Sequence, residues 1–567
     1  MMNMKQRFQG IGLAVLIALG TESCAGGDTR EPENRESVQE LPVAGPSEET
    51  DPVPLYDNLG AHHRVVRTGD AMAQAYFDQG LRLQYAFNHA EAIRSYERAI
   101  RFDPECAMCW WGIALAHGPN INAPMDSASG AAARHAVDRA VELSRTGPAA
   151  EQALIRALQQ RYAADPLAAR APLDSAYARA MEVVAASFPG DADAHTLYAA
   201  SLMNLSPWFY WTGDYANRKP RPDTPVIIES LERALELDMN HPGACHYYIH
   251  SVEAAYPEKA VPCAERLAGL MPGAGHIVHM PGHIYIRVGR YADAVKQNEH
   301  AVHADETYIR DQNPRGLYPS GYYPHNYHFM WFAATMAGMR EKALYAARRV
   351  ATRVPMEVAL QIYWIQNVFV LPQLTLLTFG DWEGVLAEPP PPAELDNSRA
   401  MSHYARGIAL AELGRRSEAD AELGEIGMIA ARVGATEASE GPEIVVVIAE
   451  HALAGEIALR SGDPRLAVNR LRIAAELEDR MVYEEPPLWY LPVRHTLGRA
   501  LLEAELPSEA EKAYREDLER FPANGWSLLG LSRALEAQGS RDEAEAAREQ
   551  FTVAWRQADT EIPGSRF

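Results

Sequence analysis

Nine of the chain's 19 histidines fall between His246 and His328, and their spacing is ordered. The string HYYIHSVE sets His246, His250 and Glu253 at steps of four and three, which puts all three on one face of a helix. His276, His279 and His283 follow in HIVHMPGHIYIRVGRY, then His325 and His328 in YYPHNYHF. His276 precedes Ala294 by 18 residues as His325 precedes Ala343, and His279 and His328 precede the same alanines by 15. His246 and His250 lie 14 and 10 residues before Ala260, one short of the 15 and 11 that separate His279 and His283 from Ala294. Neutral imidazoles with a carboxylate are a ligand set for copper, iron or zinc, and ligands drawn from several rigid helices are well preorganised. Seven imidazoles with Glu253 exceed what one ion holds. The pattern therefore predicts two ions, or one ion with the surplus histidines as supporting or substrate groups. Pro281 removes a helical hydrogen bond between His279 and His283 and could re-aim His283. His300 and His303 fall on the second helix of their hairpin, where solvent is expected.

Other residues are candidates for a ligand groove. His89 follows Phe87-Asn88 at a turn, and HGPNIN places Asn120 and Asn122 beyond a helix carrying Trp110 and Trp111; amides there either orient a ligand or form the turn. Tyr323 is one of four tyrosines crowding the approach to His325 and His328, with walling the pocket as their simplest role. Arg494, in EEPPLWYLPVRH, could meet an anionic ligand or the groove carboxylates, although this string and Trp208-Phe209-Tyr210-Trp211 read as packing at irregular junctions. Cys106 and Cys109 form a C-x-x-C, either a redox pair, two soft ligands or two small buried residues opening a helix. No G-x-S-x-G elbow, phosphate loop or H-E-x-x-H helix is present, so serine-hydrolase, nucleotide-binding and standard metalloprotease readings lose support.

The elements that must carry these residues are helical. A chain of 567 residues rich in Ala, Leu, Glu and Arg is either several domains or a repeat array. Gly80, Gly282, Gly407, Gly455 and Gly498 each precede an alanine by 12 residues, and Ala92, Ala260, Ala343 and Ala510 each precede a proline by 12. Gly289, Gly338, Gly414, Gly462 and Gly539 lie five residues before an alanine, where a glycine ends one helix and turns into the next. This pattern resembles the tetratricopeptide repeat, two antiparallel helices with a period of about 34 residues. The resemblance covers most of residues 70 to 560, sharpest at 73–104, 276–355 and 448–551 and weak at 125–225. It implies an all-α solenoid whose first helices line a concave groove, so that three neighbouring helices aim the histidines at one space. HYYIHSVE, HIVHMPGHIYIRVGRY and YYPHNYHF are similar to strings in a little-characterised group of exported bacterial tetratricopeptide proteins, a likeness that supplies no reaction.

Lys5 and Arg7, an apolar stretch from Ile11 to Leu19 and small residues around Cys24 read as an export signal over 1–24, with Cys24 either lipidated or not. Periplasm, or a lipoprotein anchored only through Cys24, is the expected location, and an even cysteine count apart from Cys24 suits an oxidising compartment. Residues 25–55 read as a disordered tether, 56–225 as N-terminal repeats, 226–385 as the central histidine-rich repeats, 386–397 with Pro389 to Pro392 as a hinge between two superhelical segments, and 398–567 as C-terminal repeats. A formal charge of -23 without a basic block excludes nucleic acid as a partner. The leading expectation is a metal-dependent envelope enzyme acting on a small molecule or peptide, with redox or oxygen chemistry ahead of hydrolysis. The alternatives are a scaffold that grips peptides or partner proteins and a metal carrier or store.

Overall fold

The computed structural model describes residues 53–361 and 363–567. The export signal, Cys24 and most of the tether lie outside the described residues. Val53, near the tether's end, is buried, and its carbonyl accepts a hydrogen bond of 2.9 Å from the Tyr76 hydroxyl.

Helices pair with their sequence neighbours into antiparallel hairpins: α1 (Ala71–Tyr85) with α2 (His89–Phe102), α3 (Ala107–His117) with α4 (Ser127–Leu143), α5 (Ala149–Gln159) with α6 (Arg170–Ser187), and α7 (Ala192–Met203) with α8 (Thr224–Leu237). The central set is α9 (Pro242–Val252) with α10 (Val261–Leu270), α11 (Gly275–His279) and α12 (Pro281–Arg287) with α13 (Tyr291–Gln312), and α14 (Tyr323–Met336) with α15 (Arg340–Arg353). After the short α16 (Met356–Gln361) come α17 (Leu371–Thr378) with α18 (Trp382–Ala387), α19 (Asp396–Glu412) with α20 (Arg416–Val433), α21 (Ile444–Arg460) with α22 (Pro464–Asp479), α23 (Val493–Glu503) with α24 (Pro507–Arg520), and α25 (Gly525–Gln538) with α26 (Arg541–Ala554). The fold is an all-α solenoid of tetratricopeptide-type hairpins. Its only strands among the described residues are β1 (Trp211–Thr212) and β2 (Lys219–Pro220), a two-residue antiparallel pair.

The periodic small residues do specific work. Gly80, Gly455 and Gly498 stand 16 residues before Tyr96, Leu471 and Tyr514, whose side chains lie 2.5, 2.6 and 2.3 Å from where a glycine Cβ would be. In these three hairpins the second helix thus drops a large side chain into a gap in the first. The five turn glycines Gly289, Gly338, Gly414, Gly462 and Gly539 all have φ between +72° and +81°, left-handed backbone that L side chains rarely adopt.

The stack curls back on itself. The Trp555 ring covers Gly338, Trp526 Nε1 donates to the Thr335 carbonyl at 3.2 Å, and the Asp559 carboxylate accepts from the amides of Arg340 and Glu341 at 2.6 and 3.0 Å. The last hairpin and the chain after it therefore pack against the end of α14 and the start of α15. Pro389 to Pro392 link α18 to α19, and both α17 and α18 pack on α19. Cys106 and Cys109 form a disulfide across the start of α3, so neither is a metal ligand, while Cys245 and Cys263 are buried free thiols. No helix among the described residues is long and apolar enough to cross a membrane.

Candidate metal centre

The first helices of the three central hairpins bring the histidines together. His246, His250 and His276 form one trio and His279, His283 and His325 another, with ring nitrogens close enough in each to hold an ion. The trios abut: the ring centroids of His250 and His283 are 5.3 Å apart, and those of His276 and His279 5.9 Å. All of these rings except the half-buried His325 are buried. Met280, between α11 and α12, keeps right-handed helical dihedrals, so the four-residue step from His279 to His283 survives Pro281 and their Nε2 atoms lie 2.8 Å apart.

Hydrogen bonds on the far side of several rings fix which nitrogen faces the centre. His246 Nδ1 donates to the Tyr85 carbonyl at 2.6 Å and His279 Nδ1 to Asn298 Oδ1 at 2.7 Å. Glu253 takes the Nδ1 protons of His250 at 3.2 Å and of His283 at 2.7 Å, one on each carboxylate oxygen, and so braces both trios at once. Its carboxylate orients both rings, and with His250 and His283 it also forms a further group whose ligand atoms lie close enough together to hold an ion. Asn298 stands 16 residues after Gly282, the position that Tyr96, Leu471 and Tyr514 hold in other hairpins; the repeat's packing residue has become a histidine orienter. His250 Nε2 and His276 Nδ1 are buried with no hydrogen-bond partner, orphaned nitrogens of the kind an ion would satisfy.

Burial lowers the pKa of His246, His250, His276, His279 and His325 well below the usual imidazole value, and the neighbouring imidazoles add to the effect. These rings are neutral, as metal ligation requires. His283 differs. Burial alone would lower it, but Glu485 and Glu253 outweigh that and push it up to about 10. Its Nε2–H is then donated to His279 Nε2, 2.8 Å away.

Several functional neighbours were not legible in the sequence. Phe87, at the α1–α2 turn, stacks its ring 4.5 Å from His246 and 5.5 Å from His276, and Trp208 sets its edge 4.9 Å from His250. Both have left-handed backbones, with φ of 56° and 67°, among only five non-glycine residues in the described chain that do. Such conformations persist where surrounding structure holds them, often at functional sites. Glu485, from the loop between α22 and α23, pairs with His283, and its carboxyl is pushed up to about 8 by burial and by repulsion from Glu253.

The remaining candidates separate. His328 belongs to neither trio: α14 runs straight where α11 and α12 break, so an equal offset in sequence is not an equal place in space. Its ring lies against Trp331 and Tyr490, and burial lowers its pKa to about 3. His89 faces away, beside Gln84 and Asn120, and Asn120 caps its own turn by accepting from the amides of Asn122 and Ala123. Asn122 does reach the site, donating to the Tyr322 hydroxyl and accepting from Trp208 Nε1. Tyr322, not Tyr323, stacks 4.7 Å from His276, whereas Tyr323 turns outward to Glu306. Arg494 is spent on Asp479 and Glu516 and does not meet the centre. His300 and His303 are exposed on α13.

A third cluster, His62, Asp193 and His241, is a structural clasp. His241 Nδ1 accepts from the Ala244 amide at the start of α9, so its proton is on Nε2 and is donated to Asp193 Oδ1 at 3.1 Å. Tyr85 and Arg64 also donate to the Asp193 carboxylate.

Above the trios lies a cavity that opens to solvent; its 1240 Å³ of empty space counts that open part. His250, His276, His283, His325, His328, Glu484 and Glu485 are among its polar lining, and Val350, Val354, Val358, Val368 and Leu488 are among its apolar lining.

No protein-family model matches the sequence, and no curated protein matches it. Solved structures that align with it include a human IFIT1 dimer with m7Gppp-AAAA (12% identity, 86% of this chain and 91% of that one, TM-score 0.31) and yeast Tom70 (12% identity, 86% and 92%, TM-score 0.31). A third is the APC/C hetero-tetramer Cut9-Hcn1 (12% identity, 87% and 76%, TM-score 0.27).

Proposed function

We propose that this protein is a metal-dependent enzyme whose two histidine trios hold a pair of transition-metal ions beneath the cavity. The observation that carries the reading is the set of Nδ1 hydrogen bonds: with Nδ1 occupied from behind on His246, His250, His279 and His283, the Nε2 atoms are left to face inward. Three imidazoles per ion would leave a coordination position free for water or substrate, which separates a catalytic site from a closed structural one. Such a set suits copper or iron, with redox or oxygen chemistry ahead of hydrolysis, and zinc as the metal for the latter. The chain's own contribution is to orient the imidazoles through Glu253, Asn298 and the Tyr85 carbonyl and to set Glu485 beside His283 at the reacting space.

Elemental analysis of untagged protein with a visible absorption spectrum tests this. Close to two equivalents of copper or iron per chain is the expected result. Protein that is metal-free and whose thermal stability is unmoved by added zinc, copper or iron sinks the proposal.

A further inference from the structure

A second pocket shares only Tyr483, Glu484 and Glu485 with the cavity over the histidines, and its chemistry is different. It collects Arg218 from the β1–β2 hairpin, Arg287 from the end of α12 and Arg520 from the end of α24. Their guanidinium carbons lie 5.8, 5.2 and 5.7 Å from the centre of the Tyr215 ring, and those of Arg218 and Arg287 also lie 4.9 and 5.5 Å from that of Tyr483. A ring face attracts a cation without neutralising it.

The carboxylates nearby are engaged elsewhere. Arg287 donates only to neutral oxygens: the Glu253 carbonyl at 3.3 Å, the Arg520 carbonyl at 3.4 Å and the Tyr215 hydroxyl at 3.2 Å. Arg520 reaches the Glu478 carbonyl at 3.5 Å and the Glu478 and Asp479 carboxylates at 3.6 Å. Both oxygens of Asp479 already accept from Arg494, at 2.8 and 2.7 Å. Glu485 pairs with His283, Glu484 acts on the Tyr490 hydroxyl in the wall of the other cavity, and the exposed Asp214 accepts from the amide of Asn217. Arg218 forms no ion pair with any described carboxylate. Its Nε and the Tyr483 hydroxyl are buried with no hydrogen-bond partner, a state that costs stability unless a ligand relieves it. Burial and the charges of Arg287 and Arg520 push the Arg218 guanidinium down to about 10, so it is still a cation at neutral pH.

We infer that Arg218, Arg287 and Arg520 form a binding site for an oxyanion of the phosphate class, either the free ion or the phosphoryl group of a monoester. A tetrahedral anion offers oxygens in several directions and can meet more than one guanidinium fork, with Arg218 Nε and the Tyr483 hydroxyl as further donors. A carboxylate, planar with two oxygens, satisfies one fork. The three arginines are separated by some 300 residues of sequence, so folding makes a local positive site in a chain of net charge -23 that has no basic block. That net charge opposes a long polyanion, whereas a single phosphate responds to the charges within about 10 Å of it. The site requires no metal ion and stands independently of the centre proposed at the histidines.

The test uses the full chain, as purified and again after metal removal, titrated calorimetrically with inorganic phosphate, phenyl phosphate and acetate at about 0.15 M salt, which screens scattered surface charge. One saturable site per chain is expected for inorganic phosphate or phenyl phosphate, with and without metal, and acetate should be weaker by about tenfold or more. Whichever phosphate binds more tightly shows whether the group arrives free or on an organic body. Arg218→Gln should weaken phosphate by about tenfold or more, while Arg315→Gln, at an exposed arginine, should not. Arg218 leaves no hydrogen-bonded partner behind, so its variant should fold; Arg520→Gln is a second variant with the same expected loss. Absence of a saturable site for either phosphate, acetate binding as tightly as phosphate, or indifference to both Arg218→Gln and Arg520→Gln would overturn the inference. Binding seen only in metal-loaded protein would also overturn it, since the anion would then sit on the metal ions of the proposed centre. Arginine-dependent binding by metal-free protein establishes the site whatever becomes of the enzyme.

Discussion

Replacing Asn298 with leucine restores what the repeat has elsewhere and removes what the centre needs. In the hairpin of Gly455 the equivalent residue, Leu471, fills the gap over the glycine, and at Gly282 that place is held by the Asn298 amide, 2.8 Å from where a Cβ would be. Leucine there gains about 1.5–3 kcal/mol from burial. Against it stands the His279 Nδ1–H, which loses its acceptor at 2.7 Å; a buried unpaired donor costs about 1–3 kcal/mol. The two nearly cancel, so urea unfolding of chelator-treated protein should move by no more than about 1.5 kcal/mol. Metal affinity has no such compensation. Freeing a ligand histidine from its orienting partner costs about 10- to 100-fold in affinity, or roughly 1.4–2.7 kcal/mol, read by competition with a chromophoric chelator. Asn298→Asp keeps an acceptor and should retain most of the affinity. Leucine protein with affinity within about twofold of the original would show that the His279 ring needs no orientation, and the ligand assignment built on these hydrogen bonds would fall with it.

Three further outcomes are expected. His279→Ala should lose one ion per chain by elemental analysis while His300→Ala on the exposed face of α13 keeps both; equal losses would mean that the centre lies elsewhere. Metal must displace the Nε2 proton that Glu485 and Glu253 hold on His283, so affinity should rise with pH, by up to about tenfold per unit below pH 10, with Glu485→Gln moving the rise to lower pH; a flat profile from pH 6 to 9 would contradict this. Metal-free protein should lose stability as pH falls below about 6.5, because His246, His250, His276, His279 and His325 have pKa values lowered by burial and the unfolded chain takes up the protons. Each such group removes up to about 1.4 kcal/mol per pH unit, so a thermal midpoint unchanged between pH 7 and 5 would show the rings are not buried neutral.

What the sequence made legible was a register. Glycine and alanine spacing fixes how one helix crosses the next, and side chains counted from those crossings land on predictable faces; six of the seven histidines come together in the two trios for this reason. Counting failed where the backbone leaves the helix. The π-helical turn Tyr318–Tyr322 widens the coil just before α14, and a step of one residue there rotates a side chain by about 100°, which exchanges Tyr322 for Tyr323. Phe87 and Trp208 reach the histidines through left-handed dihedrals that no periodicity encodes. Glu485 arrives by the closure of the solenoid, from a loop some 200 residues downstream of His283, and its neighbours Pro486 and Pro487 signal only that a loop is present.

Proximity of imidazoles and carboxylates does not by itself make a metal site, as a comparison of the two trios with the His62, Asp193 and His241 cluster shows. In His62, Asp193 and His241 the donors and acceptors are matched: an amide takes the His241 Nδ1 lone pair, and the carboxylate takes the protons that remain. An ion there would have to break bonds already made. In the two trios the matching is done from outside, by the Tyr85 carbonyl, Asn298 and Glu253, and inside it is left incomplete, with His250 Nε2 and His276 Nδ1 unpaired and one proton shared between His279 and His283. Burying six imidazoles in that state costs stability that a scaffold with a merely packed interior would not spend, because apolar side chains of the same volume would fill the space without orphaned nitrogens. The repeat already supplies such side chains at Tyr96, Leu471 and Tyr514. That the central hairpins forgo them, and set an asparagine where the others set a tyrosine or leucine, is the physical ground for reading these walls as a binding centre and not as packing.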